Sequence, residues 1–281
     1  MWADLENAFR QRTAYLARAL SRLIFPPHCV VCRHPAAEDE DRYLCRDCLA
    51  RTAFVSDPTC PRCGHTLGRH AEADTRCIEC RNVPLRFDRA VAAAHHDGPA
   101  RQMVLALKFA GQQHQAFPLA RMLAARLRTT DILERTQAIA PVPLHRSRLR
   151  TRGFNQAHLL ARELGRLARL PVDKDILRRT RNTPPQTRAP SLTARRSNVR
   201  GAFTTTSPPA VQGKTLLLID DVMTTGATTS ECAGTLKRAG AKTVFVATAT
   251  RRMNLPPPDD TEPAAEPYPV ESLVPPPDLD E

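Results

Sequence analysis

The stretch Leu216-Leu217-Leu218-Ile219-Asp220-Asp221-Val222-Met223-Thr224-Thr225-Gly226-Ala227-Thr228-Thr229-Ser230 decides how the chain reads. Residues Thr215–Asp221 form a continuous apolar run closed by two aspartates, the pattern of a strand buried on both faces. A hydroxyl-rich turn with one glycine follows and opens a helix over Ala227–Ala239. A helix N-terminus presents N–H groups and the positive end of a dipole to a phosphate. Gly226 permits close backbone approach, and the threonine hydroxyls add donors. Two carboxylates at a strand's carboxyl end meet sugar hydroxyls or a magnesium ion, at the place where open α/β sheets bind ligands. The lysine-containing glycine loop of a Walker A motif is absent.

Around this segment, strands and helices alternate. Gln137–Leu144 reads as a short apolar strand, Asn155–Ala168 as a helix and Lys242–Thr250 as a β-branched strand. Buried strands separated by helices predict a parallel sheet flanked by helices, hence an α/β fold. Residues 83–135 carry helical patterns, notably Arg101–Phe109 and Pro118–Leu127.

Eight of the nine cysteines fall in four C-x2-C pairs: Cys29/Cys32, Cys45/Cys48, Cys60/Cys63 and Cys77/Cys80. Each pair is a tight knuckle that aims two thiolates at one cation, and two knuckles complete a tetrahedron of sulfurs. Two structural zinc ions in two successive ribbons is the simplest arrangement; a cross-braced pairing satisfies the same spacing. An iron–sulfur cluster is the competing metal, because four sulfurs suit either. With four cysteines per site no position remains for a catalytic water. Cys232 lies alone in the helix after the aspartates and reads as a small buried hydrophobe.

The 281 residues suggest about two domains. Residues 3–24 read as an amphipathic helix ended by Pro26 and Pro27. Packing against the protein is its first reading, and peripheral contact with the inner face of a membrane its second. Residues 254–281 hold eight acidic side chains, no basic one and nine prolines, and cannot bury enough surface to order themselves. With that acidic stretch set aside, the net charge of +12 becomes +20. Residues 141–200 alone carry 15 Arg or Lys against three acids, which predicts a polyanionic partner, phosphates or single-stranded DNA. No apolar run is long enough to span a bilayer and no signal peptide is evident, so a cytoplasmic protein is expected.

The 216–230 segment resembles the phosphoribosyl pyrophosphate (PRPP) motif of type I phosphoribosyltransferases. The resemblance implies that Asp220 and Asp221 contact the ribose hydroxyls and that Thr224, Thr225, Gly226, Ala227 and Thr228 cradle the 5′-phosphate, with Mg2+ accompanying PRPP. Other segments carry a second resemblance. They are Leu107-Lys108-Phe109-Ala110-Gly111, Pro141–Arg150, Arg152-Gly153-Phe154-Asn155-Gln156, Gln186, Arg195, Asn198 and Gly201-Ala202-Phe203. With the cysteine ribbons they resemble the ComF family of competence-associated proteins, from about Pro26 to Arg251.

An N-terminal amphipathic helix (1–25) and a disordered acidic proline-rich tail (254–281) are read from pattern and composition and flank the resemblance, which itself covers a double zinc ribbon (26–82) and a type I phosphoribosyltransferase-like domain (83–253). The family implies a pyrophosphate loop drawn from His145, Arg146, Arg148, Arg150 and Arg152, and a hood over 178–203 containing Gln186, Arg195 and Asn198. The implied function is DNA uptake in natural transformation, or DNA utilisation, by a protein with a PRPP site and contacts to the uptake machinery. An active phosphoribosyltransferase with an unidentified acceptor and a PRPP-sensing regulator are the alternatives.

Overall fold

The computed structural model describes residue 13 and residues 28–35, 43–68, 70–72, 75–81, 83–183 and 192–252. The expected helix at 3–24, Thr13 apart, and the acidic segment at 254–281 lie outside the described residues. The chain divides into two compact units, Met1–Arg51 and Thr52–Glu281. The first unit carries Cys29, Cys32, Cys45 and Cys48; the second carries the other four paired cysteines together with the α/β body.

The body is a four-stranded sheet in the order β1 (Arg89–His95), β6 (Thr243–Arg251), β5 (Thr215–Met223), β2 (Ala138–Pro141), with every neighbouring pair parallel. Leu216 to Ile219 of β5 are fully buried, as the apolar run requires. The helices of seven residues or more are α1 (Gly98–Phe109), α2 (Ala116–Arg128), α3 (Arg146–Arg152), α4 (Gln156–Ala168), α5 (Leu192–Val199) and α6 (Ala227–Arg238). Helices α2 and α4 pack together, and α4 lies against β2 and β5. Gly165 makes the α4 contact close: a Cβ there would meet Val172 Cγ2 at 2.4 Å. A separate two-stranded antiparallel ribbon joins β3 (Leu177–Arg179) to β4 (Phe203–Thr205), so the base of the expected hood is a paired element.

The strand β1 corrects the helical reading of residues 83–135. Ala90, Ala92, Ala93 and Ala94 favour a helix in isolation. Tertiary burial overrides that preference, because the segment sits between β6 and the second cysteine ribbon. One edge of β1 pairs with β6; the other is covered by a bridge from Phe54 to Ala94 and by the Val55 N–H donating to Ala93 O at 3.0 Å. Small side chains allow this approach from both sides.

The second ribbon is built into the α/β body. Ala90 N–H donates to Arg62 O at 3.0 Å. Arg126 of α2, only 2% exposed, grips both carboxylate oxygens of Asp57 at 2.8 and 2.9 Å, and this guanidinium holds the Asp57 carboxyl below its usual range. Gly64 has φ +67°, and a Cβ there would lie 2.6 Å from Ala90 O. Gly64→Ala therefore combines left-handed strain with a backbone clash, together about 2–5 kcal/mol. We expect it to lower Tm by roughly 5–15 °C in a thermal melt. Gly68→Ala, where nothing lies within 4 Å, is the control and should stay within about 0.5 kcal/mol of the parent.

Candidate functional site

The carboxyl ends of all four parallel strands open on one cleft of about 560 Å3. His96 follows β1, Val142 to Leu144 follow β2, Asp220 to Met223 end β5 and Arg252 follows β6, and all of them line it. This is the crevice in which open α/β sheets bind ligands. Thr224, Gly226, Ala227, Thr228 and Thr229 form one wall, where the turn enters α6. Gly226, the N-cap of α6, has φ +70°, a left-handed conformation that suits glycine. The Thr225 hydroxyl accepts from Ala227 N–H at 3.4 Å, and the Thr229 hydroxyl donates to Gly226 O at 3.1 Å. The first turn of α6 thus points its N–H groups at the cleft from a braced loop.

The cleft also has a cationic lining. Arg148 and Arg152 of α3, Arg179 at the end of β3 and Lys108 of α1 all line the cleft. Lys108 Nζ lies 2.8 Å from Asp221 Oδ1. Arg148 donates to Thr183 O and Arg179 to the Thr183 hydroxyl, each at 2.5 Å. Arg148, Arg152 and Arg179 have no carboxylate ion-pair partner among the described residues. Arg179 is 7% exposed, and burial, reinforced by the charge of Arg148, lowers its pKa. Such cations are costly to bury without an anion.

The aspartates feel the reverse pressure. Burial first, and then the charge of Asp221, push the Asp220 carboxyl up to about 7. His96 is pushed down to about 4 by burial and by Lys108 and Arg101, so it is neutral at pH 7; its Nδ1 lies 2.9 Å from the Thr250 hydroxyl.

Of the residues singled out from sequence, Asp220, Asp221, Thr224, Gly226, Ala227, Thr228, Arg148 and Arg152 converge on this cleft. Thr225 braces the loop and does not line it. His145 caps α3 by accepting from Ser147 N–H at 3.2 Å, and Arg146 and Arg150 are exposed; none of these three lines the cleft. Gln186 lies outside the described residues, as does the side chain of Arg195, while Asn198 is half-buried in α5.

Each cysteine tetrad closes within its own ribbon. Cys29, Cys32, Cys45 and Cys48 form one cluster and Cys60, Cys63, Cys77 and Cys80 the other, with the sulfurs of each within 4.8 Å of one another. The outer contacts fit thiolates: Cys77 N–H donates to Cys60 Sγ, Arg251 Nη2 to Cys63 Sγ and Arg51 Nη2 to Cys48 Sγ, each at 3.4 Å. Four thiols with such support suit a structural zinc ion.

Comparison with known proteins agrees with this geometry. Residues 20–81 match the double zinc ribbon domain model, which supports structural zinc, and residues 149–265 match the phosphoribosyl transferase domain model. The chain is 34% identical over 227 residues to the DNA utilization protein YhgH of Escherichia coli O157:H7, covering 80% of this chain and 96% of that one. It is 32% identical over 207 residues to Competence protein F of Haemophilus influenzae, covering 72% and 88%. The chain belongs to the ComF family. A solved glutamine PRPP amidotransferase from Bacillus subtilis is 19% identical with a TM-score of 0.35, covering 56% of this chain and 30% of its own length.

In the sequence the Leu107–Gly111 segment carries part of the ComF resemblance but gives Lys108 no role in the site. The signal was there in part: a lysine at the end of a helix, beside an apolar pattern. Arg179, Arg252 and His96 had no such signal, because strand ends far apart in sequence bring them together.

Two outcomes follow from the site. Metal analysis should find about two zinc equivalents per chain. Cys29→Ser and Cys63→Ser should each lose one, with Cys63→Ser the more destabilising because Arg251, 2% exposed, donates to both Cys63 O and Sγ. The second outcome concerns pH. A carboxyl with a raised folded pKa favours the fold while protonated, and that contribution is lost as pH rises from about 4 through about 7. Without added divalent cation, Asp220→Asn should therefore melt about 3–10 °C above the parent at pH 8, and the gap should close towards pH 4.

Proposed function

We propose that the cleft binds a phosphorylated ribose of the PRPP type and that the protein acts in DNA uptake or DNA utilisation. One observation carries the binding reading. A braced helix N-terminus, two carboxylates and three arginines without carboxylate partners meet in a single cleft at the sheet's carboxyl edge. Each suits one part of the ligand. The α6 turn suits the 5′-phosphate. Asp220 and Asp221 suit the ribose hydroxyls. Arg148, Arg152 and Arg179 suit a pyrophosphate, since a guanidinium bonds two oxygens at once.

Lys108 fixes Asp221 in place, and the neutral His96 adds no charge beside it. Mg2+ arriving with PRPP would offset pyrophosphate charge, with Asp220 and Asp221 the carboxylates within the cleft to meet it. If transfer to an acceptor follows, cationic walls already aimed at the departing pyrophosphate would stabilise it without reorganisation.

The competence and DNA-utilisation names of the relatives support a DNA role, as does the excess of basic residues in 141–200. In this reading a double ribbon (26–82) precedes a phosphoribosyltransferase-like segment (83–253), and the protein acts in the cytoplasm. Among the described residues no helix is long and apolar enough to cross a membrane.

Calorimetric titration with PRPP and Mg2+ tests the reading. The parent should bind with a stoichiometry near one, and Asp220→Asn with Asp221→Asn should lose at least about 100-fold in affinity, the scale of two lost charge-assisted contacts. The same double variant should not weaken single-stranded DNA binding, because it removes negative charge from a basic surface. A parent that ignores PRPP, or a double variant that binds it unchanged, overturns the proposal.

A further inference from the structure

Phe109 ends α1 beside Lys108 and lines the cleft, yet the residue is 74% exposed, the most exposed large apolar residue among the described residues. The Arg152 guanidinium lies 5.5 Å from the ring centroid. Arg152 is itself held, donating to Gln156 Oε1 at 2.8 Å, and Gln156 is 1% exposed. An aromatic ring backed by a fixed guanidinium and left open to solvent at the mouth of a phosphate-type cleft is a platform for a flat heterocycle.

We propose that Phe109 and Arg152 form a stacking subsite for an unstacked base of single-stranded DNA, whose phosphates continue along α3. The charge pattern favours a strand over a free base. Helix α3, with the sequence RSRLRTR, carries four arginines in seven residues. Arg148 and Arg152 turn to the cleft, while Arg146 and Arg150 stay exposed outside it. A lone nucleobase or nucleoside has no phosphate to offer those outer cations; a strand does.

The nearby Asn155 side chain is already engaged. Asn155, which also lines the cleft, spends its amide on Val142 O at 3.1 Å and its carbonyl on Ala157 N–H at 3.1 Å. Recognition by stacking alone tolerates any sequence. The identity of the strand as DNA rests on the proposed function above; the stacking subsite rests on Phe109 and Arg152.

The test measures affinity of the full zinc-loaded chain for a short oligothymidylate, for an abasic oligomer of equal length and for thymidine. Phe109→Ala should weaken oligothymidylate binding about 5- to 150-fold, the range for one lost base stack. It should leave abasic-oligomer affinity, the salt slope and zinc content unchanged. Phe109→Trp should restore binding, and in a Trp2→Phe background the introduced indole should be quenched by the oligomer. Arg150→Ala should instead lower the salt slope by roughly 0.7 and weaken both oligomers alike.

The proposal is overturned if Phe109→Ala binds oligothymidylate like the parent, or if it weakens the abasic oligomer equally. It is also overturned if only thymidine binding suffers, since the ring then serves a small acceptor. Failure of PRPP to bind the parent would remove the proposed function and leave this result standing.

Discussion

Two adjacent carboxylates at the end of a buried apolar strand are an electrostatic problem, and the ion pair between Lys108 and Asp221 at 2.8 Å is the part of the solution that the chain supplies itself. One ammonium answers one carboxylate. Asp220 is left with burial and a like charge beside it, and its carboxyl rises to about 7. In the same cleft, Arg148, Arg152 and Arg179 carry the opposite imbalance. Carboxylates that need cations or hydroxyls thus share a cleft with guanidiniums that need anions, which is the charge pattern of a site held at a cost in stability until a ligand meets both. Lys108 also fixes the end of α1, and therefore where Phe109 emerges at the cleft's edge.

The second cysteine ribbon bears on the same cleft by another route. Arg251 closes β6 with its guanidinium on Cys63, while Arg252, the next residue, lines the cleft and donates its N–H to Met223 O at 2.9 Å. Leu85 and Phe87, which follow the ribbon, stand 3.5 Å from where a Cβ on Gly226 would sit. Arg86 N–H donates to the Ser230 hydroxyl, and the Arg86 guanidinium pairs with Glu231 at 2.7 Å. The segment leaving this ribbon therefore braces the first turn of α6. Metal-binding energy in such a module is folding energy, and the Arg86 contacts link the ribbon to the turn that enters α6.

Much of this was legible in the sequence. The apolar run ending in two aspartates marked the central strand within two residues of its end, and the paired cysteines marked both metal clusters. These features are local: one segment, one spacing, one chemistry. Strand β1 was not legible, because four alanines in a row of seven residues speak for a helix until a ribbon and a sheet close on them. Arg179 was not legible either, because it is one arginine among many in a basic stretch, and only the β3–β4 pairing carries it into the cleft. The arginines of α3 show the same limit. Their number was plain, but helical geometry decides that Arg148 and Arg152, four residues apart, face the site while Arg146 and Arg150 do not.

Hydrogen–deuterium exchange of the full chain with and without PRPP and Mg2+ tests the account most directly, because it reads which backbone amides a ligand covers. Slower exchange at Thr224–Ser230 and across residues 142–152, cancelled by Asp220→Asn with Asp221→Asn, is the predicted result. Unchanged exchange in both segments, or protection confined to the cysteine ribbons, would contradict it.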